Sequence, residues 1–192
     1  MKKNIYILLF DGYSDWEISY LTPELIKSSK YELKYFSISG GPVTSAGGLK
    51  IIPELSLKEV DIKNFAMLIL PGGEAWEKKE LNGLPDLFHK IKAVDLPVAG
   101  ICGATVGLAD AGFLNRVQHT SNDKEYLKAM SPGYTGGDLY LEQRAVTDGH
   151  IITASGIAPV EFAKEVFLML KIFDEATTEK WFQLFKNGIW NE

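Results

Sequence analysis

The chain has 192 residues, of which 46% are hydrophobic and 23% charged, and its net charge at pH 7 is -5. These proportions are typical of a folded globular protein and exclude intrinsic disorder, collagen-like repeats and a coiled coil as the main architecture. The length fits one domain over residues 1–192, with a helical extension at about residues 175–192. The acidic balance argues against a nucleic-acid partner.

Cys102 is the only cysteine, so an intramolecular disulfide is impossible and a reducing compartment is expected. The apolar run near the N-terminus covers residues 5–10, which is too short for a secretory signal. No stretch approaches the roughly 18 apolar residues of a membrane span. We therefore predict a cytoplasmic protein without a membrane partner.

Short apolar runs alternate with helical patterns along the first half of the chain. The apolar runs are typical of strands buried on both faces of a parallel sheet. The predicted strands are residues 5–10, 31–38, 66–70 and 97–101. The predicted helices are residues 14–29 with a restart at Pro23, residues 84–94 and residues 104–111.

The second half of the chain predicts a hairpin followed by two helices. Residues 144–147 and 150–153 flank Asp148-Gly149, a pair favoured in two-residue turns. Helices are expected over residues 159–173 and 177–185. The alternation predicts an α/β fold, a three-layer sandwich around a mainly parallel sheet. The apolar side chains of the last helix either cap the core, which we favour, or form a dimer contact; they are Trp181, Phe182, Phe185 and Trp190.

Cys102 follows a predicted strand and precedes a predicted helix, with Gly100 and Gly103 around it. A nucleophile on such an elbow needs small neighbours because the backbone there is strained. The start of the helix favours the thiolate over the thiol. The alternative is that Cys102 is a small buried hydrophobic residue.

Two further strand ends should lie beside this elbow, because ligands collect at the carboxyl ends of parallel strands. Pro71-Gly72-Gly73 ends one strand, and the amides of Gly73 and Gly103 could form an oxyanion hole. A tight exit turn is the alternative for these glycines. Glu17 follows the first strand end and is a candidate acid, although glutamates at helix starts are commonly solvated.

Together these stretches resemble the ThiJ/PfpI superfamily, which includes intracellular protease-like proteins and the parkinsonism-associated deglycase. The matching pieces are Glu17, residues 68–73, residues 99–104 and residues 148–156. The resemblance implies a class I glutamine amidotransferase-like (flavodoxin-like) fold, with Cys102 as nucleophile and Glu17 as its proton partner. It also implies Gly73 and Gly103 as oxyanion donors, and a homodimer or larger oligomer.

The chain departs from the family pattern at two positions. Peptidase-like members carry a histidine directly after the cysteine, where this chain has Gly103. Other members carry a histidine after a later strand; here either Asn122 or, with a shifted alignment, His119 takes that position. Asn122 could orient a substrate but could not shuttle a proton near neutral pH. His89 and His150 are expected to lie away from the strand ends.

The pocket rim is predicted to include Tyr13, Trp16 and Trp76, with core packing as the alternative for each. We expect no metal and no cofactor, because the histidines and carboxylates lack metal-ligand spacing. The leading hypothesis is a cysteine-dependent hydrolase or amidase-like enzyme acting on a small carbonyl or amide substrate. The alternatives are a redox-responsive stress protein, through oxidation of Cys102, and a non-catalytic module that binds a small ligand.

Overall fold

Apolar runs form the strands at the centre of the molecule. The computed structural model describes residues 2–190. Its strands are β1 (Lys3–Leu8), β2 (Tyr31–Ser37), β3 (Val43–Thr44), β4 (Lys50–Ile51), β5 (Leu55–Ser56), β6 (Phe65–Leu70), β7 (Val98–Ile101), β8 (Ala145–Asp148) and β9 (Ile151–Ala154). Every residue of β6 and β7 is buried, as expected for strands that are covered on both faces.

The main sheet has the strand order β5-β2-β1-β6-β7-β9-β8. Neighbouring strands are parallel except β8 and β9, which form an antiparallel hairpin at one edge. The carboxyl ends of β1, β6, β7 and β9 therefore lie side by side. A separate small hairpin of β3 and β4 packs near the end of β1, where the Gly12 N–H donates to the Thr44 carbonyl.

Helices cover both sides of the sheet, so the predicted α/β three-layer architecture is confirmed. The helix at Leu84–Ala93 shows the pattern: its buried side carries Leu87, Phe88 and Ile91, and polar side chains lie on the opposite side. The helices are α1 (Thr22–Ile26), α2 (Leu84–Ala93), α3 (Ala104–Asp110), α4 (Lys124–Met130), α5 (Pro159–Leu170) and α6 (Glu175–Asn187).

The helix predicted over residues 14–29 is interrupted. A single 3₁₀ turn forms at Asp15–Glu17, and α1 begins at Thr22 with Pro23 in its first turn. The Asp15 carboxylate binds the β3–β4 hairpin and, within the part of the chain that the structure describes, does not interact with the helix backbone. It accepts from the Gly47 N–H at 3.1 Å and from the Ser45 hydroxyl. Glu17, two residues further along the chain, is fully buried.

The turn of the β8–β9 hairpin lies one residue further along the chain than predicted. Asp148 pairs with Ile151, so the two turn residues are Gly149 and His150. Gly149 adopts a φ of +56°, which glycine reaches without a steric penalty. Asp148 is part of the strand, and its side chain accepts from the Gln118 N–H at 2.7 Å.

The last helix caps the core through Trp181, with Phe182 partly buried against it. Trp181 is buried and packs edge-on against Phe167 of α5, with ring centroids 4.8 Å apart. Phe185 and Trp190 are exposed. Residues 191 and 192 of the predicted extension lie outside the described residues. Within residues 2–190, no helix is long and apolar enough to cross a membrane.

Candidate active site

Cys102 occupies a strained turn between β7 and α3. Its φ is +58°, in the left-handed region that non-glycine residues rarely adopt. The Cys102 N–H donates to the Ala154 carbonyl of β9 at 2.9 Å, which fixes the turn to the sheet. Side chains are excluded on either side, because a Cβ on Gly100 would lie 2.7 Å from Leu108 and one on Gly103 would lie 3.0 Å from the Gly73 carbonyl oxygen. The structure thus has the elbow predicted from the Gly-Ile-Cys-Gly sequence.

Glu17 is fully buried beside this elbow and is not a solvated surface residue. One carboxyl oxygen, Oε2, accepts from the Gly72 N–H at 2.5 Å. The other, Oε1, is buried without a hydrogen-bond partner of good geometry among the described residues. The Cys102 thiol and the Ser14 side chain interact with this carboxyl group. Burial of Glu17 therefore supplies a proton acceptor next to the sulfur.

The two side chains shift each other's protonation. Burial raises the pKa of Glu17 to about 7, against the opposing effect of the Gly72 N–H and the thiol. Burial, followed by the nearby Glu17 charge, raises the pKa of the Cys102 thiol to about 11. The expected preference for thiolate is therefore wrong for the resting pair, since these two effects outweigh the donors from Asn122 and Gly103. A carboxyl group with a pKa of about 7 is about half ionised at neutral pH, and in its ionised form it accepts a hydrogen bond from the thiol.

Two glycines enclose the Cys102–Glu17 pair, and sequence reasoning did not assign them this role. A Cβ on Gly72 would lie 2.6 Å from the Cys102 Cβ and 2.9 Å from Glu17 Oε2. A Cβ on Gly156 would lie 2.8 Å from the Cys102 Sγ and 3.3 Å from Glu17 Oε1. Each follows a buried strand, β6 or β9, which is the only signal in the sequence that could have indicated them.

Asn122, and not His119, faces the sulfur. The Asn122 Nδ2 donates to the Cys102 Sγ at 3.3 Å, and its Oδ1 accepts from the Gly156 N–H at 2.8 Å.

His119 is fully buried, and both of its ring nitrogens are occupied. Nδ1 donates to the Val117 carbonyl at 2.8 Å, so Nε2 accepts from the Tyr134 hydroxyl at 2.5 Å. Burial lowers the pKa of His119, which keeps the ring neutral. The prediction of His119 as a catalytic residue is therefore wrong, because both ring nitrogens are bound inside the fold, away from the sulfur.

The two amides expected to form an oxyanion hole lie next to each other. A Cβ on Gly103 would be 3.5 Å from the Gly73 nitrogen. Gly73 has a φ of +145°, and a Cβ there would lie 2.8 Å from both the Gly12 carbonyl oxygen and the Phe10 ring. Across residues 2–190, neither the Gly73 nor the Gly103 N–H donates to a backbone carbonyl. The Gly103 N–H interacts with the Cys102 sulfur in the resting site, so it has to turn from the sulfur to bind a ligand oxygen.

The three aromatic residues predicted at the rim divide between core and surface. Tyr13 and Trp76 are buried, and Trp76 Nε1 donates to the Pro71 carbonyl at 2.8 Å. Trp16 is half exposed next to Glu17. A residue that was not predicted, Tyr126 of α4, donates to Glu77 at 2.7 Å. Burial, followed by Glu77 and then by charge on Cys102, raises the pKa of Tyr126, so its ring lies near the sulfur. Tyr126 and Trp16 are therefore candidates for contact with a substrate.

Comparison with known proteins assigns nearly the whole chain to one protein family. The sequence model of the DJ-1/PfpI family matches residues 3–169. The chain belongs to the DJ-1/PfpI family. The matched region includes every element of the site, from β1 through α5, and ends before α6.

Individual relatives and solved structures agree with this DJ-1/PfpI assignment. The chain is 37% identical over 191 residues to the uncharacterized protease YoaZ of Bacillus subtilis, covering 96% of this chain and 91% of that protein. It is 30% identical over 151 residues to the deglycase TK1284 of Thermococcus kodakarensis, covering 78% and 88%. The crystal structure of a thiJ/pfpI family protein from Bacillus anthracis superposes with a TM-score of 0.92 at 34% identity, covering 98% and 92%.

The other two histidines of this DJ-1/PfpI chain lie away from Cys102. His89 is exposed on α2, and His150 is bound to Asp95 at the β8–β9 turn. No group of three or more His, Cys, Asp or Glu side chains in the described part of the chain could hold a metal ion. The assembled chemistry is therefore a thiol, a buried carboxyl group, a neutral carboxamide and the backbone amides of Gly73 and Gly103.

Proposed function

We propose that this protein is a cysteine-dependent, hydrolase-like enzyme that acts on a small carbonyl or amide substrate. The observation that carries the proposal is the contact between the Cys102 thiol and a buried Glu17 carboxyl group whose pKa is raised to about 7. A general base is most effective when its pKa lies near the working pH. Glu17 is matched to that task at neutral pH.

In the first step the thiol attacks the substrate carbonyl carbon. The thiol proton passes to the Glu17 carboxylate as the sulfur–carbon bond forms, and the carbonyl electron pair moves to the oxygen. The N–H groups of Gly73 and Gly103 donate to this oxyanion, an arrangement that stabilises the charge where it develops. The high resting pKa of Cys102 means that the thiolate exists only during attack, paired with this proton transfer.

In the second step the intermediate collapses. With an amide or ester, the bond to the leaving group breaks and Glu17 returns its proton to that group, which leaves a thioester on Cys102. A water molecule then gives a proton to Glu17 and attacks the thioester, and the released sulfur takes that proton back. With an α-oxoaldehyde the product of the first step is a hemithioacetal, protonated on oxygen by Glu17. Glu17 then takes the proton from the carbon bound to sulfur and returns it to the adjacent carbonyl carbon, which gives a 2-hydroxy thioester that water hydrolyses in the same way. Asn122 holds the sulfur and takes no proton in either case.

Three features support a small substrate in preference to a folded protein. The position after Cys102 is Gly103, so the Cys-His pair of a peptidase is absent from the sequence at that point. The backbone at Gly72 and Gly156 approaches Cys102 so closely that even a methyl group at either position would clash, which supports a narrow site. The relatives include a protein named a deglycase as well as one named an uncharacterized protease.

The test is a turnover screen with methylglyoxal, p-nitrophenyl acetate and an amino-acid p-nitroanilide. Wild type is compared with Cys102→Ser, Glu17→Gln and the exposed control Glu142→Gln. We expect turnover of at least one substrate, lost in Cys102→Ser, reduced about 10²–10⁴-fold in Glu17→Gln and unchanged in the control. Absence of turnover in wild type, or equal turnover in Cys102→Ser, would refute the proposal.

A second candidate function is redox sensing through Cys102. The observation that favours it is that the sulfur already accepts from Asn122 Nδ2, with the Gly103 N–H as a second donor. Two peroxide molecules would convert the thiol into a sulfinic acid and two waters, and these donors would bind the new oxygens. Intact mass after mild peroxide treatment tests this: wild type should gain two oxygen atoms and Cys102→Ser none.

A further inference from the structure

A cavity lies beside Trp76, between α2 and α3. It encloses about 390 Å³, within the range of small-molecule sites in proteins. Trp76 separates it from the Cys102 site, because the indole also lies 3.4 Å from the position of a Cβ on Gly103. None of the residues assigned a role in the Cys102 chemistry lines the cavity. Its floor is apolar and largely buried, and it is built from Trp76, Leu84 and Phe88. The Trp76 and Phe88 rings are nearly parallel, with centroids 6.5 Å apart, so the two rings pack as one unit in the floor.

The shape of this floor depends on a glycine. A Cβ on Gly107 of α3 would lie only 2.2 Å from the Trp76 ring, so the indole rests directly on the helix backbone. The indole Nε1 is held by the Pro71 carbonyl at 2.8 Å. The cavity is therefore preformed, because its largest wall is fixed from two directions.

The charged side chains at the rim leave one cation without an anionic partner. Lys79 is paired with Asp110, so these two charges cancel. Lys92 makes no ion pair in the described part of the chain. Its ammonium group donates to the carbonyls of Ala111 at 3.1 Å and Gly112 at 2.9 Å. The same group lies over the Phe113 ring, 5.6 Å from its centroid. An ammonium group has three donors, so one is left without a carbonyl or carboxylate acceptor and can bind a ligand.

We propose that this cavity, formed by the loop before α2, α2 itself and α3, binds a small monocarboxylate that carries an aromatic or other apolar group. The ring of the ligand lies against Trp76 and Phe88, and its carboxylate pairs with Lys92. One uncompensated cation matches a single negative charge, and the apolar floor selects against a purely ionic ligand such as phosphate. The site is independent of the chemistry proposed for Cys102, because it shares no residue with that machinery.

The probe is 4-phenylbutyrate, with the neutral amide 4-phenylbutyramide as its matched control. Both are titrated by calorimetry into wild type, Lys92→Met and Lys90→Met, the last being an exposed lysine of α2 outside the cavity. Wild type should bind the carboxylate with a Kd in the millimolar range or tighter, about three- to fivefold more tightly than the amide. Lys92→Met should remove this preference, and Lys90→Met should keep it.

The location is read from the tryptophan indole N–H signals in a ¹H–¹⁵N spectrum. The four signals are assigned by substituting Trp16, Trp181 and Trp190 with phenylalanine in turn, which leaves Trp76 unaltered. Addition of 4-phenylbutyrate should shift the Trp76 signal more than the other three. Equal binding of acid and amide to wild type, no binding of either, or a shift confined to another indole would overturn the proposal.

Discussion

Asn122 joins the sulfur of Cys102 to the backbone that follows β9. Its Nδ2 donates to Sγ at 3.3 Å while its Oδ1 accepts from the Gly156 N–H at 2.8 Å. The carboxamide therefore lies at a position from which an imidazole could exchange protons with the sulfur. Because a carboxamide is neutral and does not titrate, every proton transfer in the proposed mechanism falls on Glu17.

Replacement of Asn122 by histidine should restore a second proton carrier. We expect Asn122→His to increase kcat/KM for an activated ester by about tenfold or more, since general acid–base catalysis contributes 10²–10⁴-fold when well positioned. The gain should appear as the pH rises through about 6.5, where an ordinary imidazole loses its proton. Steady-state kinetics from pH 5 to 9 provide the measurement.

Asn122→Ala is the matched control for this substitution. It removes the same hydrogen bonds to Cys102 and Gly156 without adding an imidazole. Identical pH profiles for the histidine and alanine variants would show that the ring does not reach the sulfur.

Much of this site could be predicted from local sequence, because its main parts are strand ends. The small residues around Cys102 and the Pro71-Gly72-Gly73 sequence are requirements of backbone geometry at one place in the chain. The choice between His119 and Asn122 could not be made in this way. It depends on which side chain of an irregular segment finds a partner, and Tyr134, which binds His119, lies in a part of the chain with no periodic pattern.

The roles of Gly72, Gly156 and Trp76 could not be predicted from the sequence either, for a related reason. Each arises from close approach of segments distant along the chain, such as the Trp76 ring on Gly107. The strands β3, β4 and β5 have two residues each, too few to show alternation. By contrast, the continuous apolar runs of four or more residues correctly indicated a mainly parallel sheet.

Turnover should depend on the ionisation of Glu17. Since the base must be deprotonated to accept the thiol proton, kcat/KM should rise with pH through about 7 and fall away below it. Glu17→Gln should lack this titration as well as most of the activity. A wild-type profile that is flat between pH 5 and 8 would contradict the role of Glu17 as base.

The same pKa shift should make the folded protein less stable at alkaline pH. The carboxyl pKa is about 7 in the fold and 4.5 for an ordinary glutamate, so the folded state holds its proton more tightly. The stabilising contribution is complete below about pH 4.5 and is lost as the pH rises through 7. Relative to Glu17→Gln, wild type should lose up to about 3 kcal/mol in the free energy of unfolding between pH 4.5 and 8.

Urea unfolding at the two pH values measures this difference. Glu142→Gln is the control, because that glutamate is exposed. A wild-type stability that tracks the Glu17→Gln variant at both pH values would mean that Glu17 titrates normally.

Alkylation of the single thiol reports directly on the pair. We expect iodoacetamide to label wild-type Cys102 slowly at pH 8, with an apparent pKa above the ~8.5 of a free cysteine. Glu17→Gln removes the nearby negative charge and should therefore lower the apparent pKa, with labelling about tenfold faster at pH 8. An apparent pKa below 8.5 in wild type would show that the thiolate is already stabilised in the resting protein.

The space beside the sulfur should be as critical as the titrating groups. In Gly156→Ala the new methyl group would lie 2.8 Å from Sγ and 3.0 Å from the Cβ of Cys102, closer than van der Waals contact allows. We expect a loss of stability of about 1–3 kcal/mol from overpacking, together with a fall in kcat/KM and slower alkylation, because the methyl group displaces the sulfur from Asn122. Gly133→Ala is the matched control, since a Cβ there meets no atom within 4 Å. If Gly156→Ala unfolded more easily but kept wild-type kinetics and alkylation, Gly156 would be a packing residue with no part in shaping the site.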